Sequence, residues 1–113
     1  MASGRCALRV TRRYAASAEE VWAALTEPES VRRWFGETHE GIPGEVRASR
    51  PPRLLELLWE GDGDASVVRF ELTEDERGTV LVLDHSLIDE TVGKAYLQRW
   101  TQSLDRLDIE VEG

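Results

Sequence analysis

The chain has 113 residues, 41% of them hydrophobic, which fits one globular domain with one core and excludes a disordered chain. Its 22 acids against 14 basic residues give a formal net charge of -8, which argues against DNA or RNA as a partner. No apolar run approaches the ~18 residues of a membrane span, so no membrane partner is expected either. The single cysteine, Cys6, cannot close an internal disulfide and fits a reducing cytoplasm. The opening "MASGRCALRV" lacks the apolar stretch of a signal peptide. Lysine occurs once against thirteen arginines, a bias that points to a GC-rich bacterial genome rather than to any physical demand.

In chain order, "LRVTRRY" at 8–14 alternates as a strand with Leu8, Val10, Arg12 and Tyr14 on one face. Ser17 followed by Glu20 has capping-box spacing and opens a helix whose apolar stripe is Val21, Trp22 and Leu25. Pro28 lacks an amide hydrogen and restricts Glu27, so Thr26-Glu27 is a corner and "PESVRRWF" a second short helix, stopped by Gly36. Trp22 and Trp34 would anchor this helical corner on a flat surface.

Residues 37–44 read as loop. "EVRAS" is a short strand ended by Pro51-Pro52. Three stronger strands follow. "RLLELLWEG" presents Leu55, Leu57 and Trp59 on one face. "SVVRFELTE" presents Val68, Phe70 and Leu72, and "TVLVLDHS" presents Leu81, Leu83 and His85. The turns "GDGDA" and "EDERG" between them imply an antiparallel meander. Residues 89–111 form one long helix of roughly 35 Å, with Asp89 as N-cap and Val92, Tyr96, Trp100, Leu104, Leu107 and Val111 on its apolar face.

This order is α+β: a curved antiparallel sheet of about five strands, two short helices, and a long C-terminal helix across the sheet. With "VTRRYAASAEEVWAALTEPESVRRWFG", "PPRLLELLWEG", "VRFELTEDERGTVLVLDHS" and "YLQRWTQSLDRL", the chain resembles the START-like (SRPBCC) superfamily. The branch it is most similar to is named after the activator of heat-shock protein 90 ATPase. That resemblance implies the helix-grip fold and a small apolar ligand held between sheet and long helix. It also implies two further strands, for which residues 37–50 leave too little chain. The shortened sheet would end at residues 44–49 or 54–60, and pairing with a second copy there is one remedy for the bare edge.

His85 is the sharpest single candidate: on the inward face it could hydrogen-bond a ligand or act as a general base, or else be satisfied by its neighbours. Arg12 could bind a ligand carboxylate or phosphate, or pair with a nearby acid. Trp34, Trp59, Phe70, Leu83, Tyr96 and Trp100 would line the ligand cavity, or simply fill the core, where each aromatic contributes about 2 kcal/mol on burial. Glu37, His39 and Glu40 match no metal-binding spacing, and Asp62 and Asp64 lack the spacing of a calcium loop. There is no phosphate-binding glycine loop and no nucleophile motif, so no cofactor is expected. Three functions are compatible with these residues: non-enzymatic binding of an apolar molecule, a protein-interaction or chaperone-associated module, and a small cyclase- or hydrolase-like enzyme using Arg12 and His85.

Overall fold

A computed structural model describes residues 4–36, 44–61, 64–89 and 91–112. The elements are β1 (Arg5–Tyr14), α1 (Ala18–Thr26), α2 (Pro28–Trp34), β2 (Glu45–Arg50), β3 (Leu54–Gly61), β4 (Asp64–Asp75), β5 (Gly78–Asp89) and α3 (Gly93–Glu112). The strands make one curved antiparallel sheet in the order β1-β5-β4-β3-β2, with α3 packed across it, which is the helix-grip architecture. The bare edge next to β3 is β2, the first of the two segments expected there.

Period-two alternation decides which side of each strand is dry. Along the inward face, Leu8, His85, Val68, Leu57 and Val46 line up across all five strands. The row Val10, Leu83, Phe70, Leu55 and Ser49 lies beside it. Between these rows and α3 lie Trp100, Leu104 and Leu107, all buried. The outward face carries a row of alternating sign, Arg9, Asp84, Arg69 and Glu56, in direct register. Arg9 and Asp84 approach to 2.8 Å, and Arg69 reaches Glu56 at 3.7 Å and Glu71 at 2.8 Å. Opposite charges facing each other on neighbouring strands favour this register over its one-residue slip.

The capping box forms as its spacing requires. The Ser17 hydroxyl accepts from the Glu20 amide at 3.1 Å, and the Ser17 amide donates back to the Glu20 carboxylate at 3.2 Å. Pro28 opens α2, and Gly36 follows it at φ +125°, a conformation that glycine adopts without steric cost. The two tryptophans of the corner do different work. Trp34 is fully buried and its indole N–H donates to Ala24 O at 2.7 Å, which staples α2 to α1. Trp22 is half-buried at the rim of the core.

Two expectations are corrected. Asp89 does not cap α3. It is still paired with Arg5 in the sheet, and its carboxylate accepts from the Thr91 amide and hydroxyl, both at 2.8 Å. The first helical bond runs from the Tyr96 amide to Val92 O, so α3 starts at Gly93 and Val92 lies outside it, 41% exposed. The second correction is a register shift between Cys6 and Leu8, opposite which Leu87 adopts φ +60°. The extra residue swings Leu87 out to solvent and returns Ile88 to the core, so β5 continues to Asp89 rather than stopping at Ser86.

The sheet and α3 are joined by buried polar contacts as well as by packing. The Tyr14 hydroxyl donates to Leu104 O at 3.0 Å from a site where burial raises the phenol pKa. Removing that hydroxyl leaves a buried carbonyl without its donor. Tyr14→Phe is expected to lower unfolding free energy by about 1–2 kcal/mol, read as a fall in urea midpoint at unchanged m-value. A midpoint equal to wild type would show that the contact contributes nothing.

Candidate functional site

The end of the sheet where β3 turns into β4, and where β5 hands over to α3, collects the rings. Trp59 and Ser66 face each other across β3 and β4, and His85 lies on the neighbouring strand β5. From α3, Tyr96 and Trp100 come down four residues apart, on one helical face. Trp59 and Trp100 stack with centroids 5.5 Å apart and 24° between planes. His85 meets Trp59 edge-on at 5.1 Å and Tyr96 at 4.8 Å. Phe70 packs edge-on against Trp100 at 5.8 Å. Phe35, from the end of α2, closes the group against Trp100 at 5.6 Å and Trp59 at 6.0 Å.

His85 has no exposed surface, and both ring nitrogens are engaged within the protein. The Trp100 indole donates to Nδ1 at 3.1 Å. An indole nitrogen can only donate, so Nδ1 is unprotonated and the proton sits on Nε2. Nε2 therefore donates to Ser66 Oγ at 2.9 Å. Burial pushes the His85 pKa down to about 4, so the ring is neutral near neutral pH. The residue that could have served as base or ligand donor is wired to Ser66 and Trp100.

Arg12 is wired too. Its guanidinium pairs with Asp105 and reaches Thr101 O at 3.4 Å, clipping β1 to α3. Trp34 lies on the far side of Phe35, 5.6 Å from it and bonded to Ala24, away from the Trp59–Tyr96 group. Leu83 and Phe70 are fully buried in the floor of the sheet. Of the predicted residues, the structure thus brings together Trp59, His85, Tyr96, Trp100 and Phe70. Glu37, His39, Glu40 and Asp62 lie outside the described residues. Among the described residues, no group of three or more His, Cys, Asp or Glu side chains could hold a metal ion.

One polar atom of the group lacks a partner. Trp59 Nε1 is buried and makes no hydrogen bond among the described residues, although the residue as a whole is only half-buried. An orphaned donor costs about 1–3 kcal/mol, so it calls for an explanation. Beside it, Gly44 sits so close that a Cβ there would come within 2.6 Å of the Trp59 ring. On the same inward face, at the end of the adjoining row, Val46 is 56% exposed. Tyr96, on the helix side, is half-buried. Among the described residues, the rings are therefore sealed toward the centre of the sheet and less covered toward the β2 edge. Two members of the site were not singled out from sequence. They are Phe35, read only as the last residue of the second short helix, and Arg99, whose guanidinium lies 5.1 Å from the Phe35 ring centroid. Arg99 precedes Trp100 and follows Tyr96 by three residues, and that helical spacing is the signal that could have found it.

A sheet gripping a long helix around a ring of aromatics defines an α+β helix-grip protein. The sequence matches the family described as activator of Hsp90 ATPase homolog 1-like protein over residues 15–112, and the chain belongs to that family. A comparison with curated proteins finds no match. Among solved structures, protein MLL2253 from Mesorhizobium loti superposes with a TM-score of 0.83 at 23% identity, over 94% of this chain and 96% of that one. CalU16 from Micromonospora echinospora gives 0.79 at 26% identity, over 99% and 87%. DynU16, a protein of the dynemicin biosynthetic locus, gives 0.83 at 25% identity, over 94% of this chain and 47% of DynU16.

Proposed function

We propose that the protein binds a small hydrophobic, ring-containing molecule at the β2 end of the space between sheet and α3, without chemically transforming it. The observation that carries this reading is the Trp59 indole N–H, buried within a group of aromatic rings and without a partner among the described residues. A ligand acceptor would satisfy it, and the faces of Trp59 and Tyr96 would supply apolar contact. Family membership is in keeping with this, since the helix-grip fold places its ligands between sheet and long helix. A biosynthetic setting such as that of DynU16 also suits a protein that holds a small molecule.

Catalysis is the weaker reading, because His85 and Arg12 are committed to internal partners. An interaction module built on the bare β2 edge is also weaker. The edge strand is six residues long, charged at Glu45, Arg47 and Arg50, and bulged between Val46 and Ala48. Short, charged and bulged edges resist pairing with another chain.

Titration with 2-naphthamide, a neutral bicyclic amide, tests the binding reading. The expected result is a shift of the Trp59 indole ¹⁵N–¹H resonance larger than that of Trp22 or Trp34, with quenching of tryptophan fluorescence. Trp59→Phe keeps a ring and removes the donor, and is expected to weaken binding about fivefold. A Trp59 indole resonance unmoved by millimolar 2-naphthamide and by its carboxylate counterpart 2-naphthoate alike would overturn the reading.

A further inference from the structure

The Arg99 guanidinium, on an exposed position of α3, stands over the Phe35 ring of this group and has no ion-pair partner among the described residues. It lies 5.1 Å from the centroid of Phe35, whose ring in turn packs 6.0 Å from Trp59 and 5.6 Å from Trp100. On α3 it sits one turn from Tyr96, on the same side of the helix. Several other arginines of the fold pair with an acid: Arg9 with Asp84, Arg12 with Asp105, Arg13 with Asp75, Arg33 with Glu110, and Arg69 with Glu56 and Glu71. Arg99 makes no ion pair among the described residues, in a chain that carries 22 acids. Over Phe35 the guanidinium is held by cation–π attraction, and among the described residues none of its N–H donors makes a hydrogen bond.

We infer that the ligand is an aromatic acid, whose ring lies against Trp59, Tyr96 and Phe35 and whose carboxylate is held by Arg99. This rests on the binding reading above and narrows its ligand class. A cation over Phe35 and a buried indole donor on Trp59, whose ring packs 6.0 Å from Phe35, put an anion-binding group and a hydrogen-bond donor on the same aromatic group. A guanidinium offers two parallel N–H bonds to a carboxylate, which a neutral amide cannot accept with the same strength. A covering role alone also has to be considered, because the Arg99 stem lies against Phe35. The two roles separate by substitution, since methionine keeps the cover and loses the charge.

The test compares 2-naphthoate with 2-naphthamide on the full chain, at low ionic strength, by fluorescence and by the Trp59 indole resonance. Wild type is expected to bind the carboxylate about tenfold more tightly than the amide. Arg99→Met is expected to abolish that preference by bringing carboxylate affinity down to that of the amide, at an unchanged unfolding midpoint, and Arg99→Lys to retain part of it. Equal affinity of wild type for the two compounds, or a preference that survives in Arg99→Met, overturns the aromatic-acid assignment and leaves the binding site standing. If neither compound moves the Trp59 resonance, the site reading and this inference both fall.

Discussion

Trp100→Ala is expected to lower the unfolding free energy by about 4 kcal/mol, a large part of what holds a domain of this size together. Trp100 is the point where α3 meets the sheet. Its ring stacks on Trp59, meets Phe35, Phe70 and His85, and is 1% exposed. Truncation would leave a void under the helix and remove the donor to His85 Nδ1 at the same stroke. Trp22→Ala is the control, because that ring is half-buried at the rim and should cost about 1–2 kcal/mol. Urea denaturation of the two variants measures the difference. Trp100→Phe helps to separate the causes, since it keeps a buried ring and loses the N–H with only part of the apolar volume. Equal midpoints for Trp100→Ala and Trp22→Ala would mean that the ring group is not what closes α3 on the sheet.

The second large effect is one of pH. His85 titrates near 6.5 in an unfolded chain and is pushed down to about 4 in the fold, where burial disfavours the imidazolium. Above pH 6.5 both states are neutral and the residue adds no pH dependence. As pH falls from 6.5 toward 4, the unfolded chain takes up a proton that the folded one refuses, so stability drops. The full loss is about 3 kcal/mol by pH 4, at roughly 1.4 kcal/mol for each pH unit of difference. Protonation in place would also set an imidazolium N–H against the Trp100 N–H. His85→Asn cannot titrate, so its unfolding free energy should fall by about 3 kcal/mol less than that of wild type over this window. Parallel pH profiles for wild type and His85→Asn would refute the assignment of this proton to His85.

Much of the fold is legible because it depends on short-range rules. Alternation in 54–59, 68–72 and 81–85 gives the inward side of three strands, and the register of the sheet keeps it. The spacing of Ser17 and Glu20, the ring of Pro28 and the glycine at 36 fix the helical corner from a few residues each. What fails is local chemistry with two outlets. An aspartate before a helix can cap it or turn the chain onto its own hydroxyl neighbour, and the sheet pairing of Asp89 with Arg5 selects the second. The bulge at Leu87 has no mark in the sequence, because leucine is a poor resident of positive φ and only the return of Ile88 to the core compensates it.

In the site, inward position is readable and hydrogen-bond assignment is not. The alternation places His85 inward, but its partners come from β4 and α3, nineteen and fifteen residues away. Phe35 and Arg99 escaped for the same reason, since the end of α2 and one turn of α3 meet only in three dimensions.

The short passage from β5 into α3 governs how the molecule can open. Asp89 is still in the sheet, Thr91 is tied to its carboxylate, the Val92 amide donates to Asp89 O, and the helix begins at Gly93. The start of the long helix is thereby tethered a turn away from Tyr96, whereas its far end is fastened at Glu110 by an outlying pair with Arg33. Any swing of the helix away from the strands would pivot about the tethered end, where the lever arm is shortest. The aromatic end would therefore widen least, and the parting of helix from sheet would be greatest at the Glu110 end.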